Sequence, residues 1–121
     1  MTSEIIIDAY NLIHRSSDLR KLLKNNLESA REQLLHKLIA FKENKKINIT
    51  VVFDGNMVSQ PSNVKQAGMN IHYSVPPKNA DDIIKILLKK KSNHRNITVI
   101  SSDNEVAGFA RTCQANTMRS E

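Results

Sequence analysis

Four short stretches place carboxylates where they can act together. "EIIID" ends in Asp8, "VVFDG" carries Asp54, "NADD" carries Asp81 and Asp82, and "VISSD" ends in Asp103. Carboxylates held close repel one another and raise each other's pKa. A divalent cation relieves that repulsion, and oxygen donors favour hard ions such as Mg²⁺ or Mn²⁺. A site of this kind, with one or two ions, suits the hydrolysis of phosphodiesters. Softer metals have no support: His14, His36, His72 and His94 show no ligand spacing. The lone Cys113 rules out a disulfide framework and a cysteine-based zinc site.

Whether the acids meet depends on the elements that carry them. Residues 4–8 and 47–55 read as strands of near-continuous β-branched residues. Residues 69–75 alternate weakly and read as a third strand, residues 96–103 read as a fourth, and "NTMRS" can begin a fifth. Helices are predicted over 17–24, 27–43, 79–91 and about 103–113. In the second of these Leu27, Ala30, Leu34, Leu38 and Phe41 recur at helical spacing. The polar stretch 56–68 reads as a loop. Strands alternating with helices imply a parallel sheet covered on both faces, with sites beyond the carboxyl ends of the strands. Asp8, Asp54 and Asp103 then share one edge, and the helix that follows the third strand brings Asp81 and Asp82 to it. Asn11 lies a short turn beyond Asp8.

Each acid also has a purely structural reading. Asp8 can cap the next segment, and Asp54-Gly55 can be a turn. Ser102 and Glu105 have capping-box spacing, which makes Asp103 a first-turn acid. Asp81 and Asp82 suit a helix N-terminus through the macrodipole.

The chain has 121 residues, 18 basic against 12 acidic, for a net charge of +6. One domain with an aliphatic core is expected. The basic surplus favours polyanionic partners. No apolar run approaches the roughly 20 residues that cross a bilayer. No basic region precedes the first apolar stretch, so a signal peptide is not expected and a cytoplasmic location is.

The ordered set "IIIDAYNLI", "VVFDG", "NADDIIKIL" and "VISSDNEVAGFA" resembles the NYN branch of the PIN-like nucleases, most closely its bacterial YacP-like ribonuclease group. The resemblance covers nearly the whole chain. It implies a three-layer α/β/α fold with a mainly parallel sheet of four to five strands. It also implies a metal-dependent endoribonuclease using Mg²⁺ or Mn²⁺. Carried over by motif, Asp8, Asp81, Asp82 and Asp103 are the catalytic acids, and Asp8, Asp54, Asp82 and Asp103 the metal ligands. Asn11 and Asn104 are positioning residues. In the family the chain continues past the point that matches Glu121, so a single domain shortened at its C-terminus is expected.

Arg15, Arg20 and Lys21 follow Asp8, and Lys78 precedes the A-D-D helix, so these four are the expected contacts to substrate phosphates. The lysines at 42, 45 and 46 and at 89–91 fall at helix C-termini, where they complement the dipole. The expected partner is RNA, with ribosome-associated mRNA as one form; homodimerisation is an added option, and no membrane is involved. The rival reading is a non-catalytic RNA- or ribosome-binding module on the same fold. A phosphatase with Asp8 as nucleophile would want an acid two residues on, where Tyr10 stands. DNA flap cleavage would rest on Asp54 alone, in a chain short for gripping DNA.

Overall fold

A computed structural model describes residues 3–25, 27–43, 45–53, 64–66, 68–75, 77–90 and 96–119. Asp54, Gly55, Lys91 and most of the expected 56–68 loop lie outside the described residues.

The chain opens with β1 (Ser3–Asp8), followed without a loop by α1 (Ala9–Arg15), then α2 (Ser17–Asn25) and α3 (Leu27–Lys42). Next come β2 (Ile47–Phe53), β3 (Val64–Gln66), β4 (Met69–Tyr73) and α4 (Ala80–Lys90). The chain ends in β5 (Ile97–Ile100), α5 (Asn104–Thr112) and β6 (Asn116–Met118). The strand order is β3-β4-β2-β1-β5-β6. Among the described residues five strands run parallel, and only β3, paired with β4, is antiparallel.

The isoleucine run of β1 has a direct cause. The strand is central, paired with β2 on one side and β5 on the other. Both its faces are covered, so successive side chains are all apolar. Ile7, with Ile49, Val51 and Phe53 of β2, faces a core completed by Ala9, Ile13, Leu19, Ala30 and Leu34 from α1, α2 and α3. Ile6 and Val52 face the opposite core, with Ala80, Ile84 and Leu88 of α4 and Val106 and Ala110 of α5. The layers are therefore α1–α3, sheet, and α4–α5.

Two elements went beyond the expected set. The D-x-x-N stretch forms α1 because Ala9, Leu12 and Ile13 stand at helical spacing, and Ala9 and Ile13 are fully buried. The three-residue β3 falls within the expected loop and forms the sheet's antiparallel edge. Phe41, expected on the apolar face of α3, is 48% exposed, with the Lys45 ammonium 3.8 Å from its ring centre.

The helices of the second layer stop cleanly. Two lysines, Lys89 and Lys90, close α4. The end of α5 is a Schellman turn: Gln114 adopts φ 66°, Ala115 N–H donates to Ala110 O, and Gln114 N–H to Arg111 O. Cys113, expected in the core, caps this end and packs at the core margin.

From β1 the chain builds outward through β2 to β4, then crosses back by α4 to β5 and β6 on the other side. The carboxyl ends of β1 and β5 therefore flank a topological switch point, where the following segments diverge to opposite faces and leave a crevice.

Candidate active site

Register explains the first contact. Ile7 pairs with Ile100, so Asp8 and Ser101, the next residue in each strand's path, lie side by side at the carboxyl edge. Ser101 Oγ donates to Asp8 Oδ2 at 3.1 Å, and both residues are buried. Asp8 occupies the N-cap position of α1, yet its side chain makes no capping bond. The carboxylate bonds at the edge of the sheet and does not cap the helix, so the capping reading of this residue does not hold.

Asp103 does cap. Its Oδ1 accepts from Glu105 N at 2.8 Å and Val106 N at 3.3 Å. The cap of α5 is thus Asp103, one residue later than the Ser102 that its spacing with Glu105 suggested. Glu105 is released from any capping role and turns toward α4. Asp103 N–H in turn donates to Ser101 Oγ at 3.0 Å, so one hydroxyl joins the carboxylate of Asp8 to the backbone of Asp103.

At α4 the two consecutive acids separate. Asp82 Oδ2 accepts from Asn79 N at 3.0 Å, and Asp82 N donates to Asn79 Oδ1 at 2.9 Å, a reciprocal cap. Asp81, about 100° around the helix from Asp82, is half-buried and points into the crevice. Single carboxylate oxygens of Asp81, Asp103 and Glu105 lie within 4.8 Å of one another.

Asp81 registers this crowding. Its pKa is pushed up from 3.8 to about 6, first by loss of solvent and then by the charges of Asp103, Asp8 and Glu105, with Lys85 opposing. Lys85 Nζ donates to Glu105 Oε1 at 2.7 Å, and that bond holds the ammonium above its usual pKa. Lys85 and Lys89 also lie 5.8 and 5.9 Å from the Phe109 ring centre, tying α4 to α5 behind the acids.

The crevice in front of Asp8 and Asp81 encloses about 360 Å³, and Tyr10, Asn11, His14 and Arg15 form its α1 wall. Asn11 Oδ1 accepts from Ser102 N at 2.8 Å, so α1 grips the β5–α5 loop directly. Tyr10 and His14 meet edge-to-face, with ring centres 4.5 Å apart.

The expected site residues are thus distributed unevenly. Asp8 and Asp81 share the crevice, and Asp103 joins Asp81 in the carboxylate group. Asp82 is turned back onto Asn79, and Asp54 is outside the described residues. Arg15 lines the crevice; Lys78 is exposed just before Asn79, which also lines it. Arg20 and Lys21 are exposed on α2. Asn104 lies in a separate pocket beyond the β5–α5 loop. Sequence reasoning passed over Glu105, Ser101 and Lys85. Glu105 had been absorbed into a capping box, and Lys85 lies one helical turn beyond Asp81, a spacing that pairs side chains on one helix face.

The donor set suits a hard divalent cation: all oxygen, clustered, and with one acid whose charge is resisted by its neighbours. Among the described residues no helix is long and apolar enough to cross a membrane.

The sequence and the fold both have known relatives. The chain is 26% identical over 103 residues to "Uncharacterized protein YacP" of Bacillus subtilis (strain 168), a match that takes in 85% of this chain and 45% of the relative. The chain therefore spans less than half the length of that curated relative. The crystal structure of Rae1 (YacP) from Bacillus subtilis superposes with a TM-score of 0.80 at 23% identity, covering 98% of this chain and 70% of that one. A mutant of the same protein gives 0.83 at 22% identity with the same coverage. The α/β fold is that of these structures. The model of the YacP-like NYN domain matches residues 5–121, and the chain belongs to that family.

Proposed function

We propose that this chain is a metal-dependent endoribonuclease that hydrolyses RNA phosphodiesters at the crevice between the end of β1, α1 and the start of α4. The observation that carries the reading is the carboxylate group of Asp81, Asp103 and Glu105 beside the buried Asp8, with the Asp81 charge resisted by the other three. Acids packed this way cost stability unless a cation joins them. Membership of the family supports a nuclease-type activity.

Asp8, Asp81, Asp103 and Glu105 would hold Mg²⁺ or Mn²⁺. Such an ion, when bound, supplies a Lewis acid for the phosphate and lowers the pKa of a coordinated water. The chain's own residues do the rest. Ser101 and Asn11 fix the β5–α5 loop against β1 and α1, which sets the spacing of the acids. Arg15 offers a cation to the strand entering the crevice. Tyr10 and His14 present ring edges and faces that a nucleobase can meet. Below about pH 6 Asp81 keeps its proton and opposes loading of the site.

The test is cleavage of single-stranded RNA with Mn²⁺ by the parent and by Asp8→Asn. Activity should fall at least about 100-fold in the variant, the scale of losing one preorganised charged group. Equal cleavage by both proteins refutes the assignment. RNA binding that persists in both without any cleavage identifies a binding module instead.

A further inference from the structure

We infer that a second, cationic pocket on the far side of the β5–α5 loop binds a phosphate of the RNA strand next to the scissile one. This rests on the nuclease reading for the identity of the strand, but not for the anion chemistry. The pocket encloses about 150 Å³ and is walled by Ser102, Asn104, Ala107 and Arg111 on one side and Thr117 and Arg119 on the other. That is room for about five waters or a tetrahedral anion with part of its shell.

Three observations select an anion. Two arginines line the pocket and no carboxylate does, whereas the crevice across the loop has Asp8 and Asp81. Ser102, Thr117 and Asn104 add hydroxyl and amide groups, neutral donors, to the same lining. Asn104, Ala107 and Arg111 follow one another at spacings of three and four, so they form a single stripe on α5. Side chains on a helix lean toward its N-terminus, which aims Arg111 at the carboxyl edge of the sheet. The small Ala107 in the middle of that stripe leaves the groove open.

Position then names the ligand. The wall between the two pockets is the Ser101–Ser102 segment. Its hydroxyl and amide are held by Asp8 and Asn11 on the acidic side, while the same two residues line the cationic side. A strand crossing this edge over the Ser101–Ser102 segment would meet the acids on one side and the arginines on the other. Its repeating phosphates are the ligand that both pockets can share.

The test uses R111Q/R119Q, the uncharged groove-filling A107L, and K46Q/K90Q as a charge-matched control on exposed lysines at the opposite edge. Binding of a short single-stranded RNA is followed in EDTA across a salt series, with 5′-hydroxyl and 5′-phosphorylated oligomers, on proteins of matching circular dichroism. R111Q/R119Q should bind about 10-fold more weakly, with a salt slope shallower by about 1. A107L should weaken binding with little change in slope, and K46Q/K90Q should stay within about two-fold of the parent. Equal effects on both oligomers assign an internal phosphodiester, and an effect confined to the phosphorylated one assigns a terminal phosphate. If R111Q/R119Q and A107L both match the control, or if the parent binds no RNA, the pocket is not a phosphate site. Absence of Mn²⁺-dependent cleavage by the parent overturns the nuclease reading alone, since the binding series needs no turnover. If the double variant fails to fold, A107L and the single arginine variants decide.

Discussion

Replacing Asp81 by Asn should shift stability in a direction that depends on pH. In the folded chain the Asp81 carboxyl titrates at about 6, against an ordinary 3.8, because burial and three neighbouring acids resist its charge. A group whose pKa is raised by folding contributes stability below its unfolded value and loses that contribution as pH rises through the folded one. Unscreened, the gap between 3.8 and about 6 corresponds to about 3 kcal/mol. Asp81 is only half-buried, and solvent screening reduces this to about 1 kcal/mol. The α4 macrodipole favours the charge by about 0.3–1 kcal/mol, so the quantity to read is the change in the difference between the two proteins, not its absolute sign. Between about pH 4 and about pH 7.5, in EDTA, the parent should lose about 1 kcal/mol relative to Asp81→Asn, or about 4 °C in Tm. Urea unfolding at both pH values measures it. Added Mn²⁺ should then stabilise the parent more than the variant. A stability difference that is flat with pH, or that moves the other way, refutes the electrostatic coupling of these acids.

Three further outcomes follow from the same geometry. Ser101→Ala withdraws one hydroxyl from both Asp8 and Asp103 N, and should cost about 1–3 kcal/mol in urea unfolding; a loss below about 0.5 kcal/mol means the hydroxyl is not the joint described. Asn11→Ala should cost about 1 kcal/mol by freeing the β5–α5 loop; a loss below about 0.3 kcal/mol in urea unfolding would remove Asn11 from that role. Lys85→Gln removes a cation paired with Glu105, and should tighten Mn²⁺ binding about five-fold, from about 1 kcal/mol of relieved repulsion; calorimetric titration showing weaker binding would contradict it.

The fold was legible because its signals are local and redundant. A run such as Ile5-Ile6-Ile7 permits only a strand covered on both faces, and Ala80, Ile84 and Leu88 mark one face of α4. The missed elements carried weaker marks. The seven residues of α1 begin without a loop, so the D-x-x-N was read as a turn although Ala9, Leu12 and Ile13 already gave the period. The three residues of β3 are too few for any period to register. Within the site, single-residue choices escaped the reading. Which of Asp81 and Asp82 faces the crevice is fixed by which one Asn79 captures, and the N-x-x-D spacing held that answer. Placing the α5 cap at Ser102 instead of Asp103 moved the helix start by one position, and that hid Glu105. Lys85 pairs with an acid twenty positions away, and only packing brings the two together.

The crevice itself follows first from the path of the chain. It opens because β1 sends the chain toward β2 on one side while α4 returns it to β5 on the other. Asp82 and Asp103 cap the helices beside it, but Asp81 and Glu105 cap nothing, and Asn11 and Arg15 border the gap without any acid. Exchange of Asp81 or Glu105 alone leaves those caps and the groove for a polyanion intact, so binding can outlive turnover without any redesign of the scaffold.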